Sequence, residues 1–285
     1  MYTNFLLEIK NGIYSLGIRN GDSVYVASDV TRILMHAKRK YKVQNINDRN
    51  EFLLGFIEVL KDIVGNQGNL FFPVFSWEFC RGKSFKRKSS LGEVGALNNW
   101  ILKNCHDFKR TAHPIYSFMV WGKNADDIEK MDNIDAWGVD SPFAWLHRNN
   151  GKMLLLDVSL QRGFTFMHYV ECCAKVPYRY VKNFRGEYIE NDGNKSMRNY
   201  TMYVRDLDVI SQEYLPDSFL ETCGAMVGRS FDDYRIKVID LTKAYDAVYD
   251  DLRYHGGEHC YHFKNYRIDW DKGATHENEF GNRLS

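Results

Sequence analysis

The sequence contains no stretch approaching the roughly 20 uninterrupted apolar residues that a membrane-spanning helix requires. Its first residues, MYTNFLLEIKNG, hold neither a long apolar run nor a cleavage site, so a cytoplasmic protein with no membrane partner is expected. An excess of one charge is missing too: 38 Lys and Arg stand against 37 Asp and Glu, a formal net charge of +1. A protein that coats a polyanion would show a basic excess, so no nucleic-acid partner is expected. The six cysteines, Cys80, Cys105, Cys172, Cys173, Cys223 and Cys260, show no paired framework and read as reduced thiols. Repeats, low-complexity tracts and Pro- or Ser-rich linkers are absent, and nothing marks an internal domain boundary. One domain over residues 1–254 is expected, followed by a tail over 255–285 that loses periodicity and is either packed on the surface or partly disordered.

What the sequence does contain is an ordinary globular mixture, 44% apolar and 26% charged, with 15% aromatic residues, some of which are expected to line a cleft that stacks on a base or a sugar. The run Ser23–Ala27 followed by a helical segment over about 29–40 reads as strand then helix. A second helix carries Phe52, Leu53, Phe56, Leu60 and Ile63 at helical spacing, and Asn69–Phe75 is a strand. The rhythm returns with a helix near 94–104, a strand at Tyr116–Trp121, a helix after Ser141-Pro142 and a strand at Lys152–Val158. From Tyr178 to Val204 the pattern alternates around Asn191-Asp192-Gly193, an antiparallel hairpin. The expected class is α/β, a three-layer sandwich with a mostly parallel central sheet and this hairpin as an excursion.

Chemistry concentrates at Thr165-Phe166-Met167-His168-Tyr169-Val170-Glu171. With Thr165 as a helix cap, His168 and Glu171 fall three apart on one face. A carboxylate that holds an imidazole fixes its tautomer and leaves the other nitrogen to take a proton, the pattern of a general-base pair. Cys172 and Cys173 beside it suggest an acyl-cysteine route, but their position on the helix favours core thiols. His255, His259, Cys260 and His262 resemble metal ligands without completing a zinc pattern, so no metal is expected. Arg81, Lys83, Lys86, Arg87 and Lys88 form a basic loop after a strand, where a solvated loop and a phosphate site are both open readings.

The order Arg110-x-x-His113-Pro114-x-x-Ser117-Phe118, Asp140-Ser141-Pro142-Phe143, Leu154-Leu155-Leu156 and Thr165-x-x-His168-x-x-Glu171 resembles the antibiotic N-acetyltransferase family, that of the aminoglycoside 3-N-acetyltransferases. The likeness runs from about Ile13 to Leu252. It implies transfer of an acyl group from acyl-coenzyme A (acetyl-CoA or a longer or hydroxylated acyl-CoA) to an amine, directly in a ternary complex. His168 would be the base and Glu171 its orienting partner. Ser28, Asp29, His113, Ser117 and Thr165 would meet the cofactor, with His113 an anchor at the floor of the site. The chain departs from the family at Asp157, where Gly is usual, and in its first turn, Ala27-Ser28-Asp29.

For the acceptor, the basic loop favours an anionic nucleotide-linked amino sugar of surface-polysaccharide synthesis, with Lys83, Lys86, Arg87 and Asp157 as its contacts. The acidic run Asp132, Asp135, Asp140 keeps the alternative, an aminoglycoside, open. A non-catalytic binding protein is the reading from another class, which an intact His168 and Glu171 oppose. A monomer or homodimer is expected.

Overall fold

Apolar residues run almost without interruption along the central strands, so that both faces of each are buried, which requires helices or sheet on either side. A computed structural model describes residues 3–41, 46–209, 211–231, 233–264, 266–270, 275–277 and 283–284. From the N-terminus the chain forms α1 (Thr3–Ser15), β1 (Ser23–Ser28), α2 (Val30–Tyr41), α3 (Ile46–Val64) and β2 (Asn69–Phe75). Next come β3 (Phe85–Lys86), α4 (Ala96–Asn104), β4 (Lys109–Arg110), β5 (Tyr116–Gly122), α5 (Ala125–Glu129) and α6 (Pro142–Arg148). They are followed by β6 (Lys152–Leu156), α7 (Leu160–Gly163), α8 (Met167–Ala174), β7 (Arg179–Ile189) and β8 (Lys195–Arg205). The remainder is β9 (Ser211–Glu213), α9 (Asp217–Thr222), β10 (Met226–Ser230), β11 (Arg235–Asp240), α10 (Leu241–Tyr254), β12 (Tyr261–Phe263), β13 (Thr275–Glu277) and β14 (Arg283–Leu284).

The main sheet has the order β10-β11-β6-β1-β2-β5-β4. Its centre is parallel, β1 lying between β6 and β2, whereas β2–β5, β4–β5, β6–β11 and β10–β11 are antiparallel. The α/β class stands, but the sheet is mixed and its parallel part narrower than the strand-helix rhythm implied. That rhythm does not fix strand direction: β5 runs back along β2 in register from Asn69↔Gly122 to Phe75↔Tyr116.

Alternation sorts the side chains into two cores. Val24, Val26, Leu70, Phe72, Val74, Leu154 and Leu156 face α1 to α4. Tyr25, Phe71, Phe75, Phe118, Met153 and Leu155 face the opposite way, against α6, α8 and α10. The second core also takes Tyr188, Tyr200 and Tyr203 from the expected hairpin, whose β7 and β8 pair from Arg179↔Arg205 to Ile189↔Lys195. Ser141 caps α6 by accepting the Ala144 N–H, with Pro142 in the first turn. Among the described residues no helix is long and apolar enough to cross a membrane.

Gly122 closes the β2–β5 pair at φ 124°, and a Cβ there would lie 2.1 Å from the carbonyl oxygen of Gly68. Gly193, in the hairpin turn at φ 90°, has open space where a Cβ would go. Gly193→Ala should therefore cost about 1 kcal/mol, the penalty of the left-handed backbone alone, and Gly122→Ala about 3 kcal/mol or more. Urea unfolding of the two variants compares them directly; equal midpoints would show that Gly122 has no steric role.

Candidate active site

Helix α8 gives His168 and Glu171 the separation needed to meet on one face. His168 Nδ1 lies 2.8 Å from Glu171 Oε2, with Glu171 fully buried and the imidazole 26% exposed. Three further donors converge on the same carboxylate. Arg179 Nε is 2.9 Å from Oε2, while the Tyr178 and Tyr261 hydroxyls donate to Oε1 at 3.0 and 2.7 Å.

Burial pushes the Glu171 carboxyl upward, but the Arg179 charge and the His168 hydrogen bond outweigh it and hold the group at about 2. Burial acts in the opposite sense on Arg179, and the Glu171 charge overrides that as well, keeping the guanidinium protonated above its ordinary range. The carboxylate can only accept, so it selects the Nδ1–H tautomer of His168 and leaves the Nε2 lone pair free. Arg179 Nη2 also lies 3.0 Å from Nδ1. The shorter, charge-assisted contact with Oε2 decides between the two. Trp137 meets the imidazole edge-on, with centroids 5.7 Å apart. Such an arrangement can accept a proton at Nε2 and stabilise the resulting imidazolium.

The expected Thr165 cap does not form. Helix α8 starts at Met167 with Phe166 at the cap position and no side-chain cap bond. Thr165 instead takes a hydrogen bond with the buried Tyr25 hydroxyl and lines a cleft of about 450 Å³, one helical turn from His168. That volume is within the usual range of small-molecule sites, about 300–1,000 Å³. The cleft opens where β1, β2 and β6 end, and Ser28, Asp29, Phe75 and Asp157 line it. The first residues of α2 and α4 also face it, as do Arg32 and Arg162. Asp157 adopts a left-handed backbone, φ 56°, and pairs with Arg32 at 2.8 Å.

Ser28, Asp29, Thr165 and Asp157 thus meet at one cleft, but the other expected contacts do not. His113 and Ser117 are fully buried and absent from its lining. His113 Nδ1 accepts the Tyr116 N–H at 3.1 Å, and burial lowers the ring to about 3, so it stays neutral. Ser117 accepts from Arg110 and donates to the Val74 carbonyl, while Arg110 also holds the carbonyls of Arg87 and Ser90. The Arg-x-x-His-Pro-x-x-Ser motif therefore braces the loop against the sheet, and its His113 and Ser117 do not line this cleft.

Lys83, Lys86 and Arg87 likewise lie off the cleft. Lys83 is paired with Glu78, and Arg81 with Glu78 and Glu93. Arg87 is half-buried, donating to the carbonyls of Arg110 and Glu129. Three of the five cations of the loop, Arg81, Lys83 and Arg87, are already committed to partners within the fold, so its nominal charge overstates what it offers a phosphate.

Arg179, Tyr178, Tyr261 and Trp137 complete the site without a sequence signal strong enough to select them. Tyr261 belongs to the segment expected as a surface tail, yet Cys260 and Tyr261 are both buried; residues 265, 271–274, 278–282 and 285 of that segment lie outside the described ones. His259, from the metal-like cluster, pairs with Asp251 at 2.8 Å, and no group of three metal-ligating side chains is found among the described residues.

The sequence profile of the family described as Aminoglycoside 3-N-acetyltransferase matches residues 41–253. The aminoglycoside N(3')-acetyltransferase-like protein YokD of Bacillus subtilis, derived from the SPbeta prophage, is 23% identical over 219 residues, covering 68% of this chain and 73% of YokD. The solved structure of AAC-VIa bound to sisomicin superposes with a TM-score of 0.66 at 18% identity, covering 88% of this chain and 97% of that one. AAC-IIIb, in binary complex with CoASH, gives 0.65 at 18% identity, covering 87% and 96%. The structural likenesses establish the fold, and the profile match takes in well over half of the sequence. The chain therefore belongs to the aminoglycoside 3-N-acetyltransferase family and is an N-acyltransferase.

Proposed function

We propose that this enzyme transfers an acetyl group from acetyl-CoA to an amino group of a polycationic aminoglycoside, with His168 as general base. The observation that carries the acceptor is the loop from Met131 to Ser141, which places Trp137 against His168 and bears Asp132, Asp135 and Asp140 without a single cation. Asp132 and Asp140 are exposed, and Asp135 holds the Trp137 N–H at 2.8 Å. A cationic acceptor would be drawn to that rim. The nucleotide-linked amino sugar loses its main support, because the cations expected to hold its pyrophosphate are largely paired. Relatives described as aminoglycoside acetyltransferases, one of them bound to sisomicin, point the same way.

Coenzyme A fits the 450 Å³ cleft chemically. The start of α4, which has no side-chain cap bond, faces the cleft and Arg162 adds charge, a setting for a phosphate, whereas the Arg32 N–H and side chain are already held by Asp29 and Asp157. The cleft would carry the thioester towards Thr165 and hence towards His168. In the reaction, Nε2 takes a proton from the acceptor ammonium, and the freed amine forms an N–C bond with the thioester carbon. Collapse of the tetrahedral intermediate breaks the C–S bond; the second proton of the attacking nitrogen passes to the departing sulfur, so that the amide and the coenzyme A thiol are formed, and His168 returns its proton to solvent. Glu171 stays ionised throughout and stabilises the imidazolium, because its carboxyl sits far below neutral pH.

No cysteine step is required. Burial pushes the Cys172 thiol up to about 12, and it also raises Cys173, so neither is a thiolate at neutral pH. Intact-mass spectrometry after incubation with acetyl-CoA alone should therefore show no adduct on either residue. An adduct formed and consumed at the turnover rate would overturn direct transfer.

His168→Ala should lower kcat by about 10²–10⁴, the usual worth of a general base, while leaving coenzyme A affinity within twofold. Stopped-flow thiol release and calorimetry measure the two; wild-type turnover in a folded variant would remove His168 from the mechanism.

On a panel of acceptors, aminoglycosides should release thiol from acetyl-CoA and uridine- or thymidine-linked amino sugars should not. Asp132→Asn with Asp140→Asn should raise the aminoglycoside KM several-fold, leave that of acetyl-CoA in place, and weaken the salt dependence of acceptor binding. Turnover confined to the nucleotide-linked sugars would sink this acceptor class.

A further inference from the structure

Resting on the reading of His168 as the base, we propose that Gly257–Phe263 is a positioning strap for the His168–Glu171 pair, with Tyr261 as a positioning residue that fixes Glu171 through Oε1. The family profile ends at Arg253, so this segment lies beyond the part of the chain that carries the family resemblance.

The strap is anchored at both ends of its run. After α10 the chain turns back at Gly256-Gly257, where the Gly257 N–H donates to the Asp251 carbonyl at 2.9 Å. The Asp251 carboxylate, almost fully buried, accepts the backbone N–H groups of His259 and Cys260 and pairs with the His259 ring at 2.8 Å. Phe219 stacks on that ring at 4.7 Å. On the other side β12 pairs with β9, and the Cys260 carbonyl accepts the Tyr214 N–H. Tyr261 is thereby held from two directions, and its ring meets Tyr178 edge-on at 5.5 Å.

Tyr261 and Tyr178 occupy Oε1, which confines the carboxylate rotation and leaves Oε2 to His168 and Arg179. The donors also draw negative charge away from Oε2. Removing the Tyr261 hydroxyl returns that charge to the imidazole contact and favours the imidazolium. Besides His168 and Glu171, the ionisable groups described around the site are Arg179, Tyr178, Tyr116 of β5, Asp135 of the Trp137 loop, Tyr203 of β8 and Cys172 of α8. All of them are retained in Tyr261→Phe.

The pH profile of Tyr261→Phe separates positioning from mere packing. The acid limb of kcat/KM should move to higher pH by about half a unit and kcat should fall about tenfold, both KM values staying within twofold. Asp251→Asn, which loosens the anchor without touching the pair, should move the limb in the same direction by less. A limb that stays in place in Tyr261→Phe overturns the proposal, even if kcat or Tm falls. The His168 ring signal, assigned by its loss in His168→Ala and titrated by NMR in the free enzyme, should shift in the same direction without any substrate. A shift there, combined with no acetylation of aminoglycosides, leaves the strap standing and refutes the acceptor; no shift refutes the strap whatever the acceptor.

Discussion

A buried, ionised carboxylate must be satisfied on nearly all of its lone pairs, because the cost of removing it from water is otherwise several kcal/mol. Glu171 meets that demand with donors from α8, from the residue before β7, from β7 itself and from β12. The relative placement of these elements is therefore tied to two oxygen atoms. Arg179 is the decisive partner: without its charge the carboxyl would titrate upward in its buried setting and lose its grip on the imidazole. Each ion makes the other tolerable, and removing either would strand its partner in the core.

Much of this was legible because its causes are local. The His-x-x-Glu spacing is a helical i,i+3 contact, and the hairpin follows from alternation on either side of an Asn-Asp-Gly turn. The positions facing the two cores also follow from alternation, as Val24 and Val26 against Tyr25 show. Arg179, Tyr178 and Tyr261 were hidden for different reasons. Arg179 reads as an ordinary cation at the head of a strand, Tyr178 as one aromatic among 18 tyrosines, and Tyr261 reaches Glu171 from 90 positions away. Strand direction was equally beyond reach, since antiparallel β5 and parallel β6 carry similar apolar runs.

Formal charge was the poorest guide. The cationic run from Arg81 to Lys88 suggested an anionic ligand, yet Glu78, Glu93, Glu129 and Glu190 lie within ion-pair distance of Lys83, Arg81 or Arg87. Glu129 and Glu190 come from distant parts of the chain, so counting the loop alone overstated its field. The motif Arg110-x-x-His113 carried a similar trap. Its polar residues are buried, Arg110 bonding Ser117 and the carbonyls of Arg87 and Ser90 while His113 accepts the Tyr116 N–H, and these bonds fasten that loop to the sheet.

The central strand of the main sheet also sets the order in which the molecule can assemble. β1 is made early, but its neighbour β6 is Lys152–Leu156 and the strand beyond that, β11, is Arg235–Asp240. Such non-local pairings slow folding, because the intervening chain must be closed before any contact rewards it. As the protein leaves the ribosome, α1 to α4 can already cover one face of β1 and β2 while Tyr25, Phe71 and Phe75 on the other face wait for partners. That exposed aromatic face is a nascent-chain liability, which makes expression at reduced temperature or with holdase chaperones a practical consequence of the topology.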